Sequence, residues 1–372
     1  MHPSPQKHSR SSASHHGGST RLATIFLTSD CNLNCPYCYA RENVFQPDEV
    51  WDVTMARPLL DHLAQRGYRI SIGGGEPLTH PNLMLAVAYE AAHRKMGVSL
   101  LTNGYLLDQA LLRALHKAGV NWVQISADSA AEVEHFAPLL AAGEALGLRM
   151  AIGTVLLPER APQIKDMYEV IASTHATGWR MLRYTPLNKG PLVNQAPTNK
   201  EWIEALLAVE ESLRPMDASV QIRYEPSVVP LDWLRDRPSE EKLDVCGGRR
   251  ARRLFLYPNG DAFACGLPRR EGIALGNFKS DWETFERLLD HVPVQEYHPL
   301  EIERKRDPYC SEVCRGGCVQ MRGDQPCDPR CEREKGLVPV CCFEKLLLAP
   351  GKHSQGPVIY PSLLYAEILK VI

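Results

Sequence analysis

Apolar residues recur in two rhythms between residues 21 and 235. Short apolar runs fall at Leu22–Thr28, Arg69–Ile72, Val98–Thr102, Trp122–Ser126, Met150–Val155 and Arg180–Tyr184. Each is rich in Ile, Val, Leu or aromatic residues, which suits a pleated, half-buried strand. A longer amphipathic stretch follows each run, with apolar residues three and four apart. Thr54–Gln65, Asp108–Ala118, Ala130–Leu146 and Lys200–Leu213 are examples. Six such repeats predict an α/β fold whose parallel sheet closes, in part, into a TIM-like (β/α)6 barrel. Reactive groups of such barrels sit at the C-terminal ends of the strands.

The rhythm changes near residue 240, where Gly, Pro, Arg and Cys become common. Leu254–Tyr257, Pro258-Asn259-Gly260-Asp261 and Ala262–Cys265 predict a β-hairpin. Pro361–Ile372 predicts a terminal helix packed back on the barrel. The expected organisation is a disordered tail over 1–20, a barrel over 21–238, a small loop-rich domain over 239–345 and a tail or helix over 346–372.

The chain has 372 residues, enough for two or three domains, so its core needs no disulfide staple. Net charge is −2, which argues against nucleic-acid binding through a general basic field. No apolar run approaches the roughly 18–20 residues of a membrane span. The N-terminus is rich in Ser and His and lacks an apolar signal-peptide core. A cytoplasmic location is expected, where thiols stay reduced. Twelve cysteines in that setting point to metal or catalysis. Three lie at Cys31, Cys35 and Cys38, directly after the first strand. The next 207 residues hold none, and the other nine fall between Cys246 and Cys342.

Cys31, Cys35 and Cys38 are spaced C-x3-C-x2-C. Three thiolates can hold three irons of a cubane 4Fe–4S cluster and leave the fourth open to a ligand. A zinc site completed by a remote His is the alternative. With Tyr37 before the third cysteine, this motif resembles that of the radical S-adenosylmethionine (SAM) superfamily. Gly73-Gly74-Gly75-Glu76-Pro77, after the second strand, resembles the family's GGEP element, which holds the methionine amino group. Thr102-Asn103-Gly104, after the third strand, resembles a turn lining the same site. The resemblance therefore implies cofactor contacts from Tyr37, Gly74, Gly75, Glu76, Thr102 and Asn103. Ser126 and Asp128 match positions that contact the cofactor's ribose or carboxylate. Either is alternatively a helix N-cap before Ala130. Arg183 ends the sixth strand, where it contacts cofactor or substrate or serves a buried salt bridge.

The later cysteines resemble the SPASM extension of that superfamily, which carries auxiliary clusters. Cys246 and Cys265 fit its opening C-x9–15-G-x4-C, with Gly260 between them. The continuation departs, because Cys310 stands where the family has a C-x2-C pair. By this resemblance, Cys246, Cys265 and Cys318 serve one 4Fe–4S cluster, and Cys310, Cys314 and Cys331 a second. Cys327 and one of Cys341 or Cys342 (Cys342 in the expected set) complete them. Zinc in the same thiolate sites is the alternative. Arg249–Arg253 attracts an anionic substrate or partner, or is a solvated strand edge guarded by charge. Sulfatase-maturing relatives carry an aspartate where this chain has Gly266, so no general base is named.

The resemblance implies reductive cleavage of SAM to a 5′-deoxyadenosyl radical, which takes hydrogen from a substrate. Oxidative modification or cross-linking of a ribosomally made peptide is the expected outcome. Dehydrogenation or epimerisation of a sugar or aminocyclitol is the alternative. About 30 residues precede Cys31, so a fused peptide-recognition domain is not expected there. The implied partners are a peptide or small-molecule substrate, a reductant such as flavodoxin or ferredoxin, and a separate peptide carrier protein. Neither nucleic acid nor membrane is expected.

Overall fold

A computed structural model describes residues 21–38, 50–184, 197–213, 220–235, 251–266, 274–292, 330–332, 335–340, 346–349 and 359–365. Cys246, Cys310, Cys314, Cys318, Cys327, Cys341 and Cys342 lie outside the described residues, as do Arg249, Arg250 and the tail over 1–20.

Six strands form where the apolar runs predict them. They are β1 (Leu22–Phe26), β2 (Arg69–Gly73), β3 (Val98–Thr102), β4 (Val120–Ser126), β5 (Arg149–Leu156) and β6 (Gly178–Arg183). Between and after them lie helices α1 (Val53–Gln65), α2 (Pro81–His93), α3 (Gln109–Lys117), α4 (Ala130–Ala145), α5 (Ile164–Ser173) and α6 (Asn199–Leu213). Capping explains the starts. Asp52 accepts from Thr54 N, and Asp108 from Leu111 N, so Asp108 precedes α3 instead of opening it. Ser129 accepts from Glu132 N and caps α4. The cap is therefore neither Ser126 nor Asp128.

Strands β1 to β6 pair in parallel and in order, and β7 (Gln221–Tyr224) adds in parallel to β6. A short strand β8 (Val228–Pro230) and helix α7 (Leu231–Arg235) follow. The predicted hairpin forms as β9 (Arg253–Leu256) and β10 (Asp261–Phe263). Strand β9 pairs in parallel with β1, so the hairpin extends the barrel sheet. Strand β11 (Ala274–Asn277) pairs with β10, and helix α8 (Trp282–Asp290) follows it. Strand β12 (Leu337–Pro339) pairs with β8, and β13 (Leu346–Ala349) pairs with β7. At the C-terminus the helix α9 covers Pro361–Leu364, and residues 366–372 of the predicted terminal helix lie outside the described residues.

Each strand sends alternate side chains to opposite faces. Ile25, Ile72, Leu100, Ile125, Ile152, Met181 and Ile222 are all fully buried in one core with Leu59, Val87, Leu112, Phe136, Ile171 and Ile203 of the helices. Each such side chain contributes about 1.5–3 kcal/mol of burial. The other face looks into the lumen. Phe26 stacks there on Tyr257 with centroids 4.7 Å apart. No helix among the described residues is long and apolar enough to cross a membrane.

Candidate active site

The cysteine loop leaves the C-terminal end of β1, where barrel chemistry is expected. Residues 27–30 bring the chain to Cys31 and are strapped to the end of β2. Leu27 N donates to Gly73 O at 2.8 Å, Gly75 N to Thr28 O at 2.8 Å, and Glu76 N to Asp30 O at 2.6 Å. Glycine is required for this close approach. Gly74 has φ +146°, and a Cβ on Gly75 would overlap the Asp30 carbonyl oxygen. Asp30 also pairs with His80 Nε2 at 2.7 Å.

Glu76 is 1% exposed. Its Oε1 accepts from Thr102 Oγ1 at 2.8 Å and from Leu78 N at 3.0 Å. Its Oε2 accepts from Asn103 N at 2.7 Å. Burial pushes this carboxyl above its ordinary range, against the pull of the three donors. The GGGEP and TNG segments are thus one unit, with Glu76 as the strut. Asn103 Nδ2 donates to Asn32 Oδ1 at 2.8 Å and lies 4.0 Å from Cys31 Sγ, so the strut reaches the cysteine loop.

Tyr37 OH donates to Asp128 Oδ2. Asp128 also pairs with Arg160 at 2.8 Å and accepts Val155 N at 3.0 Å. The Arg160 guanidinium lies 5.4 Å from the centre of the Tyr37 ring. Burial, then the Asp128 charge, pushes the Tyr37 phenol well above its ordinary value. Asp128 therefore ties the cysteine loop to the ends of β4 and β5. Neither Arg160 nor Glu132 was singled out in the sequence. Glu132 accepts from Asp128 N at 2.7 Å and completes a Ser-x-x-Glu cap with Ser129, a pattern legible in the sequence. Arg160 carries no such local pattern.

Ser126 is exposed at the end of β4. Arg183 donates to Pro197 O, to Asn199 Oδ1 at 3.1 Å and to Ser227 Oγ at 2.9 Å, joining β6 to the start of α6. Cys265 is buried just after β10, and Cys331 is half-buried beside Arg330.

Burial raises the Cys35 thiol, and the neighbouring Cys38 and Cys31 raise it further. A cationic iron centre would relieve that opposition to the Cys35 thiolate. Among the described residues, no three His, Cys, Asp or Glu side chains are arranged to hold a single ion. Residues 25–161 match the family described as the Radical SAM superfamily. This stretch of the chain is a radical SAM domain.

Similarity extends beyond that domain. The mycofactocin maturase MftC of Mycobacterium ulcerans (strain Agy99) is 26% identical over 367 residues, covering 89% of this chain and 92% of that protein. The PqqA peptide cyclase of Granulibacter bethesdensis (strain ATCC BAA-1260 / CGDNIH1) is 26% identical, covering 64% of this chain and 66% of that protein. The fold matches Streptococcus suis SuiB bound to S-adenosylmethionine with a TM-score of 0.67 at 15% identity, covering 84% of this chain and 77% of that one. The radical SAM family carries a 4Fe–4S cluster and SAM, and the Cys31–Cys38 loop has the donor set for that cluster.

Proposed function

We propose that this radical SAM enzyme oxidatively modifies or cross-links a ribosomally made peptide. The observation that carries the reading is the cysteine loop strapped to GGGEP and TNG at the strand ends, in a chain similar over 89% of its length to a maturase. Cys31, Cys35 and Cys38 would hold the cluster, and the glycine-lined end of β2 would seat SAM. Bound there, the two supply a 5′-deoxyadenosyl radical that takes hydrogen from an unactivated C–H bond. The protein contributes position. Glu76, Asn103 and the Tyr37–Asp128–Arg160 set hold the loop rigid, so the reacting hydrogen meets the radical at one place.

Cys246, Cys265, Cys310, Cys314, Cys318, Cys327, Cys331 and Cys342 would carry two auxiliary clusters that accept the substrate's electron. A flavodoxin or ferredoxin in the cytoplasm would supply the reducing electron, and a separate carrier protein would present the peptide. The test is iron and sulfide per chain after anaerobic reconstitution, read beside 5′-deoxyadenosine. About twelve irons are expected, against about four for one cluster. Cys35→Ala is expected to abolish 5′-deoxyadenosine formation. Unchanged formation in that variant would remove the reading.

A further inference from the structure

The lumen face of the sheet carries arginines that the site described above does not use. Trp179 and Met181 of β6 enter the helix-side core, so Arg180 turns to the lumen. By the same alternation, Trp122, Gln124 and Ser126 of β4 and Gln221 and Arg223 of β7 face the lumen. Backbone register places Ser126 beside Gly153, Gly153 beside Arg180, and Arg180 beside Arg223. At about 4.8 Å per strand, Arg180 stands about 10 Å from the strand-end Ser126 along that row. Gly153, between them, contributes no side chain.

Arg253, on β9, is six strands from Arg180 in the sheet order. A flat sheet would separate them by about 29 Å. Their charges nevertheless act on each other, so the sheet curls and brings both to one lumen. Burial, then Arg253 and Arg223, hold the Arg180 guanidinium at about 10, below its ordinary value. It lies 5.2 Å from the centre of the Trp122 ring. No carboxylate among the described residues acts on it. Gln124 Oε1 and Gln221 Nε2, both buried, have no hydrogen-bond partner. A half-buried cation held by one aromatic face and no carboxylate among the described residues leaves its hydrogen-bonding fork under-used. An arriving anion would meet a planar fork of donors and the Nε2 of Gln221, whose Oε1 already accepts from Arg223 Nε.

We propose that Arg180 receives a carboxylate of the substrate inside the barrel, with Gln221 as a second donor. The inference rests on the peptide-modifying reading above and names an acidic residue or chain end as the group recognised. It places that group beside the strand end that faces the cofactor, where it would fix which hydrogen is presented.

The test uses the reconstituted, SAM-loaded holoenzyme and calorimetry. The probes are a blocked pentapeptide with a central glutamate between glycines, its glutamine counterpart, and free glutarate. The native enzyme is expected to bind the glutamate peptide about tenfold tighter than the glutamine one. Arg180→Gln is expected to erase that preference and Arg180→Lys to keep part of it, since the cation remains without its fork. Arg180→Gln is also expected to raise Tm, because it removes a charge that Arg253 and Arg223 oppose; a lower Tm would make Arg180 structural and overturn the proposal. Equal binding of both peptides by the native enzyme would overturn the subsite and leave the peptide reading standing. Arg180-dependent binding of glutarate alone would support the subsite and remove the peptide reading. A tenfold loss of SAM affinity in Arg180→Lys with the peptide preference intact would give the carboxylate to the cofactor and overturn the proposal.

Discussion

The backbone N–H of Asn103 donates to Oε2 of Glu76 at 2.7 Å, joining the end of β3 to the end of β2. The same carboxylate takes Thr102 Oγ1 and Leu78 N. Glu76→Ala would leave three donors without their acceptor in a site that is 1% exposed. The expected loss is about 2–4 kcal/mol of stability, the cost of stranding buried donors. SAM affinity should fall about tenfold with it, since 1.4 kcal/mol of misplacement suffices. Glu76→Gln keeps an acceptor and should lose less than half as much. Anaerobic urea unfolding and SAM titration check both. Equal losses in the two variants would show that packing, not hydrogen bonding, holds the strut.

Gly75 tests the strap to the cysteine loop. A Cβ there meets the backbone of Asp30, which cannot swing aside as a side chain would. Gly75→Ala must therefore push residues 28–30 outward and Cys31 with them. The expected result is a folded chain that retains at most about half of the iron assigned to the first cluster. Iron content beside circular dichroism measures it. Full iron loading with a native spectrum would show that the loop tolerates the displacement.

The six barrel strands were legible because each pairs an apolar run with a following amphipathic helix, as Val98–Thr102 does with Gln109–Lys117. Boundaries moved by a residue or two where capping decides them, as at Asp108. Strand β7, Gln-Ile-Arg-Tyr over 221–224, was not legible, because its alternate residues face a polar lumen and the run looks like a loop. The attachment of β9 to β1 was hidden for a different reason. It is a pairing between segments about 230 residues apart, and no local pattern encodes it. At the site, the cysteine spacing and the GGGEP turn are contiguous motifs and could be read directly. The partnership of Tyr37, Asp128 and Arg160 joins three separate segments and required the fold.

That partnership yields a separate expectation. Oδ2 of Asp128 accepts from the Tyr37 hydroxyl and also pairs with the Arg160 guanidinium. Asp128→Asn removes the charge that both partners use and should cost about 1–3 kcal/mol. Tyr37→Phe removes one hydrogen bond and keeps the ring under Arg160, costing about 1 kcal/mol. If the set positions the cluster loop, both variants should bind iron yet change the electron paramagnetic resonance of the reduced cluster on adding SAM. A native spectrum in both variants would reduce the set to a fold contact.

Tyr68 connects the barrel to the segment that enters β9. Its ring is 3% exposed, its hydroxyl donates to Ala251 O, and its phenol is pushed up to about 12, chiefly by burial. Arg21 over the ring and Arg66 oppose that shift without cancelling it. The folded phenol thus keeps its proton longer than the unfolded one, which titrates near 10. Over that interval the native state binds more protons, so stability falls as pH rises. The contribution is whole below about pH 10 and is lost as pH climbs through about 12, up to about 3 kcal/mol for a two-unit shift. Tyr68→Phe should be about 1 kcal/mol less stable at pH 7, where only the hydrogen bond is missing. It should also lack this part of the alkaline fall. The two urea midpoints should converge and then cross between pH 10 and about 12. Curves that stay parallel across that range would mean that Tyr68 ionises without cost, and that the 251 segment is held to the barrel by something other than this phenol.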